Sequence, residues 1–164
     1  MTQAARTAAA RFFDLIPPAM PLEVLEEYGL TVTIPQAQTI TKEIIALSAY
    51  WIRCALQAGI PEQFGKTIGQ CLTEHIQLHW ESKFGLESFS FEGFLGEMST
   101  RHAAWDELTR KGGKPFTVLS QAAKDLEKQD LVSRDNQQCL AILFLDFVPI
   151  DEIGALAEAI EEGI

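Results

Sequence analysis

Between Thr39 and Phe84 the apolar residues recur at three- and four-residue steps, and the pattern is interrupted once, at Gly59-Ile60-Pro61. A period near 3.6 places such residues on one face of an α-helix. Thr39 is a plausible N-cap, and Ile40, Ile44, Leu47, Trp51, Cys54 and Ala55 follow as the core stripe. Gly59 ends this run. Pro61 suits the first position of the next helix, Glu62 falls in its first turn, and Ile68, Leu72, Ile76 and Trp80 carry it to about Phe84. A turn this short predicts an antiparallel hairpin over residues 39–84, with Trp51 buried in it.

The rest of the chain extends the helical reading. Phe91, Phe94, Leu95 and Met98 lead into His102, Trp105 and Leu108, with a candidate break near Ser99 and Thr100. "RKGGKP", residues 110–115, reads as a helix C-terminus with cations at its negative end and glycine in the left-handed cap. Pro115 opens a helix to about Gln129, Ser133 caps another to Phe147, and Pro149 opens the last. The one strand candidate, "LTVTIP" at residues 30–35, is too isolated to make a sheet. The expected fold is all-α, a single-domain bundle of six or seven helices over residues 1–164 with the 39–84 hairpin at its centre. A chain of 164 residues suffices for one core and is short for two.

Charge and hydropathy narrow the function classes. The longest apolar stretch, Cys139 to Leu145, stops at Asp146, well short of the roughly 20 residues of a membrane span. The first 18 residues lack the continuous apolar segment of a signal peptide, so a soluble, cytoplasmic protein is expected. Cys54, Cys71 and Cys139 are odd in number, widely spaced and set in apolar helical contexts, which predicts free thiols. The formal net charge is −10, and six acids with no base lie between Asp146 and the end. Such a chain repels phosphate backbones, which argues against ordinary nucleic-acid binding; the acidity serves either solubility alone or the attraction of a partner with a basic surface.

Motifs for chemistry are sparse. "GIPEQFGKT", residues 59–67, has five residues where a phosphate-binding loop has four, and a helix precedes it, so Lys66 and Thr67 read as helix-surface residues. No nucleophile elbow or zinc-protease signature occurs, no catalytic residues are assigned, and the chain reads as a non-enzyme. Cys71, His75 and His79 are spaced four apart. On a helical wheel the two histidines fall near the middle of an apolar arc bounded by Ile68, Cys71, Leu72, Ile76, Leu78 and Trp80. Inward imidazoles need partners. They serve as core residues hydrogen-bonded in place, as the polar spot of a ligand pocket, or as metal ligands with His102 or Asp146 supplying the rest. No metal or cofactor is assigned. Asp146 falls off the apolar face of its helix and reads as exposed at the helix edge.

Two further segments are candidate partner sites. "FSFEGFLGEM", residues 89–98, offers Phe89, Phe91 and Phe94 on a stretch that Gly93 and Gly96 weaken. In the last helix Ile150, Ile153, Leu156, Ala157 and Ile160 form a docking stripe, leaving Glu152, Glu158, Glu161 and Glu162 toward solvent. These features support a protein that acts by binding another protein, of inhibitor, immunity, adaptor or chaperone type. The alternative is a bundle holding a metal, haem or small ligand around His75 and His79, with enzymatic activity open to it. Self-association is compatible with either.

Overall fold

The computed structural model describes residues 2–129 and 134–164. They form eight α-helices: α1 (Thr2–Leu15), α2 (Leu22–Glu27), α3 (Ile34–Gly59), α4 (Glu62–Leu78), α5 (Phe91–Arg110), α6 (Pro115–Lys128), α7 (Gln137–Phe147) and α8 (Ile150–Glu162). Only α2, at six residues, is shorter than eleven, so seven substantial helices build the bundle. Among the described residues there is no strand, and no helix is long and apolar enough to cross a membrane.

The central hairpin is present, with its start moved. The cap of α3 is Thr33, not Thr39: Gln36 N donates to the Thr33 hydroxyl, and Gln36 Oε1 accepts from Thr33 N at 2.8 Å. This reciprocal box, with Pro35 in the first turn, converts the candidate strand into a helix start. Thr39 lies inside the helix, donating to the Pro35 carbonyl. The C-terminus of α4 comes early. Its helical bonding ends at Leu78, and the chain continues in turns to Gly85, whose φ of 63° suits a residue without a Cβ.

Helix α3 is the axis of the molecule. Every residue from Ile40 to Tyr50 except Lys42 is buried, including Thr41, Glu43 and Ser48. A helix buried on all sides needs neighbours on all sides: α8 packs on it most extensively, α4 and α5 approach from other directions, and α2 touches its start. Its second half is less enclosed, and Trp51 is half-buried rather than a core residue, its ring edge-to-face with the fully buried Tyr50 at 5.2 Å. The hydroxyls of Thr41 and Ser48 bond to carbonyls one turn back, at Ala37 and Ile44. Thr41 Oγ1 also accepts from Met20 N, which ties the segment after α1 to the axis.

The N-terminal helix is absent from the sequence reading and is the main partner of α4. Ala5, Ala8, Ala9, Phe12 and Phe13 are its buried face, and alanines allow a close helix–helix approach. Lys83 closes the far end by donating to the Phe13 carbonyl while its ammonium sits 4.2 Å above the Phe13 ring. Helix α5 runs unbroken through Ser99 and Thr100 and ends as expected, with Gly112 in the left-handed region at φ 85°. The proposed cap at Ser133 falls outside the described residues; a 3-10 turn, Arg134–Asn136, precedes α7. Cys54, Cys71 and Cys139 are free.

Phe12 is wholly enclosed and Leu78 is 76 % exposed. Phe12→Ala is therefore expected to lower the unfolding free energy by about 3–5 kcal/mol through cavity formation, and Leu78→Ala to change it by no more than about 0.5 kcal/mol. Denaturant unfolding of the two variants checks this, and equal effects would overturn the docking of α1.

Candidate functional site

The histidines that stand out in the sequence occupy the seam between α1 and α4. Phe13 packs against both, with ring centroids 5.5 Å from His75 and 4.9 Å from His79, and the two imidazoles stack on each other at 6.3 Å. His79 Nδ1 lies 3.0 Å from the His75 carbonyl, so it carries the proton and donates. Both rings are half-buried, and only His75 borders a shallow groove, shared with Cys71, Glu74 and α1 residues. Leu78, placed in the same apolar arc by the wheel, points to solvent because α1 covers a narrower face. The other candidate ligands are elsewhere. His102 is on α5 against α3, and Asp146, exposed on α7, accepts from the Tyr28 hydroxyl at 2.6 Å, which pushes the tyrosine up in pKa. Among the described residues no three His, Cys, Asp or Glu side chains gather as a metal-holding group.

A larger opening lies on an adjacent face of α4. Next to the Ile60–Pro61 turn, α3 and α4 are in contact: a Cβ on Gly65 would meet Leu56 and Ile60 at 3.7–3.8 Å. One turn further, a Cβ on Gly69 would have nothing within 4 Å. The helices diverge, and the wedge between them is a half-open cleft of about 700 Å³. Ala49, Ile52, Leu56 and Ile60 of α3 face Gly69, Leu72 and Ile76 of α4 across it, and Phe91, Phe94, Leu95 and Met98 of α5 close its side. This volume is typical of ligand and anchor pockets, which are mostly apolar with a few placed polar groups.

Those polar groups are Arg53, Gln57, Glu62, Lys66, Thr73 and His102. Arg53 donates to Asp106 at 2.8 Å and Lys66 pairs with Glu62 at 2.6 Å, so both cations are already matched. Arg53 Nε is buried with no acceptor among the described residues. His102 Nε2 is 2.9 Å from the Ala46 carbonyl, which fixes the tautomer: Nε2–H donates and Nδ1 is left as an acceptor. Burial pushes this imidazole down to about 4, so it is neutral at physiological pH.

Phe94 and Met98 are shared with a second, more polar opening on the other side of α5, bordered by Lys42, Glu43, Glu97 and Arg101. Glu43 is only 3 % exposed. Its carboxyl group lies 2.6 Å from the Arg101 guanidinium without forming an aligned hydrogen bond, and Asp125 of α6 lies 3.8 Å from the same guanidinium. This group ties α3, α5 and α6 together. Burial pushes the Glu43 carboxyl up to about 8, more than Arg101 pulls it down.

No protein family, characterised protein or solved structure matches this chain. Of the residues singled out from the sequence, Phe91 and Phe94 line the apolar cleft, whereas Phe89 lies under the Lys42 ammonium, 4.1 Å from its ring. Ile153, Leu156 and Ala157 of α8 are buried, Ile150 and Ile160 half-buried, and Glu152, Glu158, Glu161 and Glu162 exposed. Glu43 is not among the residues the sequence singles out, although its position is informative: it stands three residues after Ile40 and four before Leu47, on the core stripe itself. The cleft has a fainter trace in Gly65, Gly69 and Thr73, small residues at four-residue steps on what reads as the solvent side of α4.

Glu43 and His102 give opposite pH dependences. A carboxyl whose folded pKa of about 8 exceeds its ordinary 4.5 loses stability as pH rises between those values, because the unfolded chain releases the proton first. An imidazole lowered from 6.5 to about 4 loses stability as pH falls between them, because the unfolded chain takes the proton first. Above pH 6.5 only Glu43 acts of the two, so the unfolding midpoint is expected to fall from pH 6.5 to 8. Glu43→Gln should flatten that decline, and in the same variant the midpoint should drop from pH 6.5 toward 4, since His102 is then unopposed. Thermal unfolding across this range checks both limbs.

Proposed function

We propose that the protein acts by binding another protein, as an adaptor or inhibitor would, and that the cleft between α3, α4 and α5 receives an apolar segment of that partner. The observation that carries the reading is the divergence of α3 from α4, which leaves an aliphatic and aromatic wedge open. Apolar side chains facing an unfilled space cost hydration free energy, about 25 cal/mol for each Å² that a partner could cover. A chain with many core-forming residues would ordinarily close such a wedge with larger side chains. Here glycines stand at positions 65 and 69 on its wall.

The dimensions favour a helix as the inserted segment. The lining runs from Ala49 to Ile60 on α3 and from Glu62 to Ile76 on α4. At about 1.5 Å per residue these are walls of roughly 16 and 21 Å, the lengths of about three and four helical turns. An amphipathic helix laid there would present anchors at i, i+3 or i+4, and i+7, the common helix-in-groove mode. Phe91, Phe94 and Met98 offer aromatic and thioether surface, which adapts to the anchors.

Gly69→Phe tests the reading. The open space at Gly69 accommodates the ring, so folding should persist, while the cleft is filled. Matched baits of the wild-type protein and the Gly69→Phe variant are expected to differ in one identified partner, whose purified form should bind the variant at least about tenfold more weakly. Equal affinity for the two baits would place the partner site outside the cleft.

A further inference from the structure

The chemistry of the partner segment follows from the charges at the turn end of the cleft, on the reading that the cleft receives a helix. We infer that this segment is a cationic amphipathic helix: an apolar stripe for the cleft, with lysine or arginine at the end that reaches the Ile60–Pro61 turn. Two helix C-termini converge there. The carboxylate of Glu161, in the last turn of α8, occupies the space that a Cβ on Gly59 would fill at the end of α3. Neither helix has a basic residue in its last turn. A helix C-terminus carries a partial negative charge equivalent to about half an electron, which favours cations and disfavours carboxylates within the last turn. Glu161 thus sits against the negative end of α3 and in the negative end of α8. No Lys, Arg or His among the described residues lies within ion-pair distance of it.

The cations that do border the cleft are neutralised within the chain, Arg53 by Asp106 and Lys66 by Glu62. The uncompensated charge nearest this end is the Glu161 carboxylate, which stands outside the lining, against Gly59, the residue before the lining residue Ile60. Glycine at position 59 is what allows the carboxylate to come so close, since any side chain there would displace it. A cationic group from a partner would relieve the mutual repulsion of Glu161 and the two helix ends, and it would gain more there than at an isolated surface carboxylate. Charge at the rim of a contact acts mainly on association and on choice of partner, while the apolar anchors supply the residence time. The net charge of −10 works in the same direction at longer range.

Three fluorescent synthetic peptides of about 18 residues, long enough for the cleft, separate this inference from the reading beneath it. They share one apolar stripe at i, i+3, i+4 and i+7, and they carry lysines, glutamines or glutamates beyond its end. By fluorescence anisotropy at low salt, the lysine peptide should bind at least about fivefold more tightly than the glutamine peptide, and the glutamate peptide most weakly. Glu161→Gln should reduce the preference for lysine and its salt dependence while leaving the glutamine peptide unaffected, and Gly69→Phe should abolish binding of all three. If the three bind equally and Gly69→Phe blocks each, the cleft receives helices and the charge inference is wrong. A preference for lysine that Glu161→Gln leaves intact also overturns it. If no peptide binds the wild-type protein, the helix-receiving cleft and the charge inference both fail.

Discussion

The docking of α1 on α4 is the contact on which the rest of the architecture depends. Helix α4 is amphipathic over a broad arc, and two neighbours compete for it. The alanine face of α1 and the Phe13 ring, packed against both His75 and His79, take one side. Once α4 is committed to that side, it meets α3 closely only at the Ile60–Pro61 turn. The wedge that opens beyond the turn is the cleft, so an ordinary core contact on one face of α4 creates the open apolar surface on the other. The histidines act there as packing and capping groups, with His79 bonded to the backbone of its own helix.

Helix α5 forms the wall common to both openings and is held by polar contacts as much as by apolar ones. Arg101 reaches Glu43 and Asp125, His102 bonds to Ala46, and the Thr109 and Tyr50 hydroxyls are 3.2 Å apart. A buried carboxyl is an expensive way to fasten a helix, and at Glu43 the cost of burial outweighs the pull of Arg101. Its advantage is position: polar contacts at Glu43, Ala46 and Tyr50 fix the rotation of α5 about its own axis, which apolar contacts specify less sharply. That rotation decides whether Phe91, Phe94 and Met98 face the cleft.

The same logic links the acidic tail to the proposed function. Most exposed carboxylates contribute little to stability and serve solubility. Glu161 differs because of where α8 packs, against the end of α3, next to the residue that ends the cleft wall. An acidic C-terminal segment that in the sequence is only a run of excess carboxylates places one of them, Glu161, beside the end of a groove.

Periodicity alone determined that the chain is an all-α bundle, because spacing near 3.6 with capping and turn residues is a local property that each segment carries itself. It also determined the hairpin, the end of α5 at Gly112, the docking stripe of α8 and the phenylalanines of residues 91–94. It missed α1, whose buried face is largely alanine and gives a weak apolar signal. It started α3 too late because the Thr33–Gln36 capping box lies within residues of high strand propensity. It placed His75 and His79 at the centre of attention because a wheel shows which residues share a face and not what covers that face. The cleft, the Glu43–Arg101–Asp125 group and the position of Glu161 over Gly59 each need residues from different helices brought together. Only tertiary packing decides those, since they depend on which of two competing neighbours a helix takes.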